Sequence, residues 1–591
     1  MSETFRFSPN PNRAADIHWR AWGSDALDAA AAGGRPVLLS LTAVWCEWCQ
    51  RMDETTYSDP GVIRFISEAL LPVRVDTDRY PHVQDRYMSG GWPTTAFLTP
   101  TGEVLWSGTY VEAAQFMSVA GGVVGAWRDR RAELELEIGR RRRAVDAARG
   151  RAAASGMVRR EAADDVLTAA TDSFDARNGG FGDSPKFPIP ELIELLYVHG
   201  RDLPECVNMA DQTLDGMLAG ELWDSTDGGF FRYAAAADWT APRFDKLLEV
   251  NAGLLDAYSL GATVRLRPDW AEVASRTVDW VEGALAMDGF VAASQIASAG
   301  YFGADAATRA TITPPAHDDT LYTSANARWI RALAAAGARL RQDSWVVRAE
   351  RSLTRLLQEM QTPAGGAFHY RQRGSEPCLD FLLVDTLECA RAALTLAQAA
   401  GSAAWLQTAR SLARHMEARF WNAVGGFSDR ARSDHDVGAL RYPDRPFGLN
   451  AAVARLLLDL AHVSGERNWR ALAERTLAGM APLAGRHGTA GATFALATEE
   501  YFEPPPSVFI AVPAEIASRP DIVEAAAALR SAAFALPIPS LRVWTVPAGH
   551  AAGPQRFPAQ NEPAAYLWTL RSCSGPIMAP QDLTLASAGV L

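Results

Sequence analysis

Along the first 127 residues, short apolar runs alternate with amphipathic ones. Residues 35–43 (RPVLLSLTA) and 70–76 (LLPVRVD) are rich in strand formers and too short for helices. Residues 94–98 and 104–107 flank a Pro-Thr-Gly turn and predict a hairpin. Residues 49–54 begin a helical pattern, and 112–127 close the segment with another. Buried strands alternating with helices predict an α/β layer domain over 1–127. A charged, Ala- and Arg-rich stretch follows at 128–160 and predicts a solvated helical connector.

From 161 to 505 the period changes to that of helices, with clear examples at 250–260, 328–340, 386–399 and 451–463. A glycine-phenylalanine punctuation recurs through it. Its phenylalanines are Phe181, Phe230, Phe290, Phe368, Phe427 and Phe494, between 49 and 78 residues apart. Each interval holds about two helices plus loops, and glycine permits the sharp turn from which the aromatic re-enters the core. Six helix pairs predict a closed ring of twelve helices, an α/α toroid. Residues 506–548 break the pattern and predict a small β-α-β appendage. Residues 549–591 are expected to rejoin the helical body, through 562–571.

Composition narrows the class. The chain has 591 residues, is 48% hydrophobic and 21% charged, and carries a net charge of −12, which points to a folded protein and away from nucleic-acid binding. No apolar run reaches membrane-spanning length, and the N-terminus lacks the basic-then-apolar pattern of a secretory signal. The expected location is therefore the cytoplasm. Of 57 basic residues only two are lysines, Lys186 and Lys246. A compact ammonium fits where a planar guanidinium does not, so both positions invite a specific role: ligand binding, or a buried pair with an aspartate. Six cysteines are too few for a disulfide scaffold, and Cys206, Cys378, Cys389 and Cys573 are scattered.

The remaining two form the strongest local motif, Trp45-Cys46-Glu47-Trp48-Cys49. It follows a predicted strand and opens a helix. Unpaired N–H groups there stabilise a Cys46 thiolate, and Cys49, one turn on, can resolve a mixed disulfide. Zinc would want a second ligand pair, and neither a second Cys-x-x-Cys nor a His-x-x-x-His is present. No metal or cofactor is expected. Glu47, between the cysteines, is expected to disfavour the thiolate and make the couple reducing.

Trp45-Cys46-Glu47-Trp48-Cys49, the strand end Val75-Asp76 and the turn Gly90-Gly91-Trp92-Pro93-Thr94 together resemble the thioredoxin fold. By that resemblance Pro93 is cis, lies beside the cysteines and, with Trp92, holds a partner. His18-Trp19, Trp22-Gly23, Phe97-Leu98-Thr99-Pro100 and Gly108-Thr109-Tyr110 extend the likeness to the spermatogenesis-associated protein 20 family, which carries the domain of unknown function DUF255. In that family a thioredoxin-like domain precedes a toroid similar to six-hairpin glycosidases and N-acylglucosamine 2-epimerases. Motifs at 179–188 (GGFGDSPKFP), 227–233 (DGGFFRY), 244–255 (FDKLLEVNAGLL) and 318–326 (DDTLYTSAN), together with Asp385, match the toroid.

The resemblance implies a thiol–disulfide oxidoreductase with Cys46, Cys49 and Pro93 as its working residues. It also implies a ligand site drawn from Trp92, Lys186, Tyr233, Asp245, Lys246, Asn251, Asp318, Asp319, Asn326 and Asp385. The expected partner is a client protein thiol or a small carbohydrate. Two alternatives accompany the redox reading: a sugar isomerase, epimerase or hydrolase, and a non-catalytic scaffold presenting clients to the cysteines. Departures weigh against the sugar enzyme. Arg243 stands where the family usually has His, Val250 where it has Asp, and Ala292-Ala293-Ser294-Gln295 replaces an acidic stretch. Ala325, Ala327 and Thr320 depart from the family in the same way. Glu249 stays a candidate carboxylate, and His317 reads as a structural or exposed histidine.

Overall fold

The computed structural model describes residues 5–151, 156–433, 436–552, 555–558 and 560–587. The N-terminal domain is a four-stranded sheet in the order β2 (Leu71–Asp76), β1 (Val37–Thr42), β3 (Thr94–Leu98), β4 (Val104–Gly108). The β1–β2 pair is parallel, and β1–β3 and β3–β4 are antiparallel. Every residue of β1, β2 and β3 is buried, because helices cover both faces of the sheet. These helices are α1 (Ser24–Gly33), α2 (Glu47–Glu54), α3 (Pro60–Ala69), α4 (Pro81–Tyr87) and α5 (Ala113–Asp129). The α3 helix starts sharply because Pro60 fits its first turn and the Asp59 carboxylate accepts from the Gly61 and Val62 amides. The connector is helical, α6 (Arg131–Arg151).

The helical domain is a ring of paired helices. Its outer members are α7 (Ala162–Ser173), α9 (Pro204–Ala219), α11 (Pro268–Ala284), α15 (Asp343–Met360), α17 (Ala403–Phe420) and α19 (Arg467–Met480). The inner members are α8 (Pro190–His199), α10 (Leu248–Arg265), α14 (Thr323–Arg339), α16 (Leu383–Ala399), α18 (Phe447–Ser464) and α20 (Ala492–Phe502). Two one-turn helices, α12 (Ala299–Phe302) and α13 (Ala306–Arg309), lie in the loop before α14. Each inner helix packs on the next, and α20 closes on α8. Inner helices are therefore covered on most sides; nearly all of α16 is buried.

Outer helices pass to inner ones through tight turns in which Phe181, Phe230 and Phe427 close a β-bridge with an upstream aromatic residue. The punctuation read from sequence marks these turns at five of its six sites. Phe494 differs: it lies within α20, buried in a satellite core cluster.

The C-terminal region holds a second sheet, β10 (Arg542–Pro547), β9 (Ser507–Val512) and β13 (Ala564–Trp568), with α21 (Pro520–Phe534) and α22 (Pro580–Ser587) packed against it. Residues 562–571 rejoin the helical body as a strand and not as a helix: Ala564, Tyr566 and Trp568 belong to the core of the ring, and Trp568 packs against His462 of α18. Ala564–Trp568 is a fully buried strand antiparallel to β9, because its apolar residues complete that sheet. No helix among the described residues is long and apolar enough to cross a membrane.

The two ends of the ring differ. The turns before the inner helices, where those helices begin, meet the thioredoxin-like domain. The other end meets the appendage, where Arg542 pairs with Asp459 and Arg530 donates to the Ala399 carbonyl.

Candidate functional site

Cys46 is the N-cap of α2, and its Sγ accepts a hydrogen bond from the Cys49 amide at 3.2 Å. Both cysteines are unpaired thiols, and each is only 3% exposed. They lie in one apolar cluster with Trp45 and Trp92 of their own domain and Leu247 and Val250 of the toroid. The Trp45 carbonyl accepts from the Ala297 amide, a backbone link across the two domains. The Trp92–Pro93 peptide is cis. Trp92 packs edge-on to Trp45 with ring centres 5.1 Å apart and donates to the Thr77 hydroxyl.

Toroid residues cover this corner. The Arg232 guanidinium lies 4.6 Å from the Trp45 ring, 5.4 Å from Trp92 and 4.9 Å from Tyr233, and pairs with Asp245. Cation–π contacts of this kind favour a planar cation over stacked indoles. Burial pushes the Cys46 thiol well above its ordinary pKa, with the Cys49 thiol and the Asp245 carboxylate adding to the shift. The Cys49 amide opposes it without overcoming it. The leading sources of this thiol character are thus burial, Cys49 and Asp245. Burial likewise raises Asp245, against the pull of Arg232.

A second polar cluster ties the domains together. Arg6 joins Asp76 of the thioredoxin-like domain to Asp318 of the toroid, and reaches the Tyr322 hydroxyl at 3.3 Å. Asp78 accepts from the Trp45 indole at 3.0 Å and is pushed up to about 8 by burial and by the neighbouring Asp76 and Asp318. His369 holds its Nδ1 3.0 Å from the Asp385 carboxylate and its Nε2 2.8 Å from the Asp78 carbonyl. Both ring nitrogens face acceptors, which fits an imidazolium. Burial would depress its pKa, but Asp385 outweighs that and the net shift is upward.

The residues singled out from sequence divide among four places. Cys46, Cys49, Trp92, Tyr233 and Asp245 meet at the buried corner. Asp318 and Asp385 belong to the interdomain cluster. Asp319 is exposed and lines an outer recess of about 540 Å³ with His317. Lys186, Lys246, Asn251 and Asn326 are turn staples. Lys186 Nζ donates to Asp175 and to the Gly179 carbonyl, at 2.6 and 2.9 Å. Lys246 Nζ donates to Asp224 and to the Gly228 carbonyl, at 2.7 Å each.

The two lysines perform the same task in successive repeats, each holding the aspartate and first glycine of a Gly-Gly-Phe turn. Asn251 Oδ1 accepts from the Phe230 amide while its Nδ2 donates to the Phe230 and Leu247 carbonyls. Asn326 clamps Val291 in the same manner. So does Asn450 on Phe427, a residue missed in the sequence although it follows its helix start by the same interval. None of these staples lines the ring's central cavity.

That cavity encloses about 830 Å³ between the inner helices and α4 of the thioredoxin-like domain. Arginine–carboxylate pairs line it. Arg328 joins Glu249 and Glu388, Arg331 and Arg339 join Asp256, and Arg455 joins Glu194. Glu194, Asp256 and Glu388 are held below the usual carboxylate range: burial raises them, and their arginines more than reverse it. Glu249 is the one carboxylate from the sequence reading that lines the cavity. Among the described residues no cluster of three or more histidine, cysteine or acidic side chains could hold a metal ion.

Residues 10–145 match Thioredox_DsbH, described as a protein of unknown function, DUF255. The chain is 28% identical over 293 residues to spermatogenesis-associated protein 20 of Homo sapiens, covering 46% of this chain and 37% of the human protein. The Mus musculus protein of that name is 27% identical, over 45% of this chain and 36% of its own length. The aligned segment thus spans little more than a third of either relative. Among solved structures, cellobiose 2-epimerase from Bacillus thermoamylovorans is similar with a TM-score of 0.45 and 10% identity, over 54% of this chain and 84% of that one. A D-mannose isomerase is similar with a TM-score of 0.45 and 13% identity, over 57% and 96%. Residues 10–145 of this chain are thus similar to the DUF255 thioredoxin-like family, and the chain is similar to spermatogenesis-associated protein 20 over less than half of its length.

Proposed function

We propose that the chain is a thiol–disulfide oxidoreductase whose Cys46–Cys49 couple works between its two domains and serves a small disulfide. The observation that carries this reading is the placement of the pair: Cys46 caps a helix start, Cys49 follows one turn later, and both are buried against Leu247 and Val250 of the toroid. A client protein strand would need the face of Trp92 that Arg232 already covers, so the domains would have to part first. A small disulfide needs a smaller opening over Cys46, which is itself only 3% exposed.

The chemistry balances as follows. The Cys46 thiolate attacks one sulfur of the substrate disulfide and expels the other as a thiolate. The Cys49 thiolate then attacks Cys46 Sγ in the mixed disulfide and releases the second thiol. The chain ends with a Cys46–Cys49 disulfide, and the substrate ends as two thiols.

The test is to treat the reduced full chain with oxidised glutathione, and separately to assay insulin reduction. The expected result is a Cys46–Cys49 disulfide, a stable Cys46–glutathione adduct in Cys49→Ser, and no acceleration of insulin reduction. Absence of both the disulfide and the adduct sinks the proposal.

A sugar isomerase or hydrolase is the second reading, and the central cavity is what favours it. Its chemistry is poorly supplied. Glu194, Asp256 and Glu388 are held ionised by arginines, which removes them as proton donors. Among the described residues the only histidine on the cavity lining is His82, which is held down to about 3 by burial and by Arg430. The cavity therefore reads better as a binding chamber than as a glycosidase or epimerase centre.

A further inference from the structure

Several arginines bury a nitrogen that meets no acceptor, among them Arg331, Arg348, Arg410 and Arg430. Each of these is nevertheless ion-paired with a carboxylate, as are Arg79 and Arg86. Arg243 is the exception. Its Nε is buried without an acceptor, and among the described residues its guanidinium has neither a hydrogen bond nor an ion pair. The residue is still partly exposed, so a group from outside can reach it. Arg243 also stands beside the thiol corner. Its amide donates to the Tyr233 carbonyl at 2.9 Å. It lies two residues before Asp245, whose carboxylate feels its charge and in turn acts on Cys46. Asp245 is already engaged by Arg232. Two guanidiniums thus share one carboxylate here, and Arg243 is the one left unpaired. Phe187, 46% exposed, stacks on the Tyr233 ring at 4.5 Å, so an open apolar surface adjoins the two cations.

We propose that the disulfide served by Cys46 carries carboxylates, and that Arg243 of the toroid binds one of them while Cys46 Sγ reaches the disulfide. The inference rests on the thiol reading above and adds its substrate class, a small anionic disulfide. A carboxylate suits Arg243 because its two oxygens match the guanidinium fork. A cationic disulfide would meet Arg232 and Arg243 together and be repelled. A neutral one would leave Arg243 unpaired. The bond changes stay as given: Cys46 Sγ bonds to one substrate sulfur, the other leaves as a thiolate with its own carboxylate, and Cys49 then releases the first half. Arg243 takes no part in these changes and sets specificity. The site is composite, since one domain supplies the sulfurs and the other reads the charge of the substrate.

The test follows oxidation of the reduced full-length protein by oxidised glutathione, dithiodipropionate, hydroxyethyl disulfide and cystamine. Each rate is divided by that of dithiothreitol with the same disulfide, which removes intrinsic reactivity. The two anionic disulfides are expected to exceed the neutral one by about fivefold or more, with cystamine slowest. Their advantage should shrink in about 0.5 M salt, which screens a partly exposed charge. Arg243→Gln breaks no ion pair among the described residues and should bring the anionic-to-neutral ratio close to one. Arg243→Lys should keep most of the ratio, and Arg243→Glu should turn the order toward cystamine. Arg355→Gln on the outer face should keep the parent's ratio, and thermal melts confirm that each variant is folded. The proposal is overturned if the neutral disulfide reacts as fast as the anionic ones, or if Arg243→Gln keeps the parent's ratio; the thiol reading survives either result. Reaction with none of the disulfides overturns both, which separates the two failures.

Discussion

Two lysines persist in an arginine-rich chain because their positions leave no room for a fork. Lys246 Nζ sits between Asp224 and the Gly228 carbonyl, with the rings of Phe231, Trp280 and Phe302 about it at 4.9–5.0 Å. Burial lowers its pKa to about 8, and Asp224 limits the fall. Removing one partner of a buried pair costs about 3–5 kcal/mol. Here Arg309 also holds Asp224, so Lys246→Met should cost about 3 kcal/mol. Lys246→Arg should not restore the stability. Both are read as a shift in urea midpoint at unchanged slope; a Lys246→Arg midpoint equal to the parent's would contradict this account. The sequence singled these lysines out by rarity alone. It could not separate ligand binding from stapling, because that distinction rests on what the ammonium meets.

The same scale carries a prediction on the thiols. Asp245 raises the Cys46 pKa by its charge while Arg232 stands beside it. Asp245→Asn should therefore speed alkylation of Cys46 by iodoacetamide several-fold near pH ~8, where thiolate fraction sets the rate. An unchanged rate would mean that the carboxylate does not act on the sulfur.

At the level of elements, the toroid is built from one repeated joint. An inner helix begins, and a side chain four residues past its cap reaches back to the preceding turn. Asn251, Asn326 and Asn450 each satisfy backbone groups on both sides of that joint. Thr386 occupies the corresponding place in α16, against Gly366. Asparagine suits the place because its amide offers an acceptor and two donors from one short stem. Replacing any of the three by Ala should cost about 2–3 kcal/mol, since buried backbone groups lose their partners. The costs should add within about 0.5 kcal/mol, because the joints share no contacts. Denaturation of the single and double variants checks this; a double variant no less stable than a single one would contradict it. The turns themselves were legible, since Gly-Gly-Phe announces them. The clamp was only half legible: Asn251 and Asn326 were noticed as motif residues, but Asn450 lies outside any motif and shows its role only once the joint is seen.

On the scale of the whole molecule, the interface between the domains titrates. His369 has a raised pKa and bridges Asp385 to the Asp78 carbonyl. Its contribution is complete below its unfolded value of about 6.5 and is lost as pH rises through its folded value. Asp78, raised to about 8, works in the same direction: the folded state holds its proton between about 4 and 8, and stability is lost as that proton leaves. Both signs agree, so the domains should separate more readily at pH ~9 than at pH ~6. Hydrogen exchange across 78–82 and 369–371 should accelerate at the higher pH after correction for intrinsic rates; uniform protection would contradict this.

Much of this scale was hidden in the sequence. The thioredoxin-like domain and the helical ring follow from local patterning and motif spacing. The burial of Cys46 under Leu247, the arginine sandwich of Arg232 and the closing of the central cavity by α4 join residues far apart in the chain, and no local signal marks them.

The account rests on Cys46 and Cys49 forming a redox couple enclosed by the toroid. The most direct test equilibrates the full-length protein in glutathione buffers of graded potential, then traps and maps the cysteines by mass spectrometry. The account predicts a Cys46–Cys49 disulfide with a midpoint more reducing than about −200 mV, with Cys206, Cys378, Cys389 and Cys573 remaining free thiols. A pair that stays reduced even at about −180 mV, or that oxidises no more readily than the other four cysteines, would contradict it.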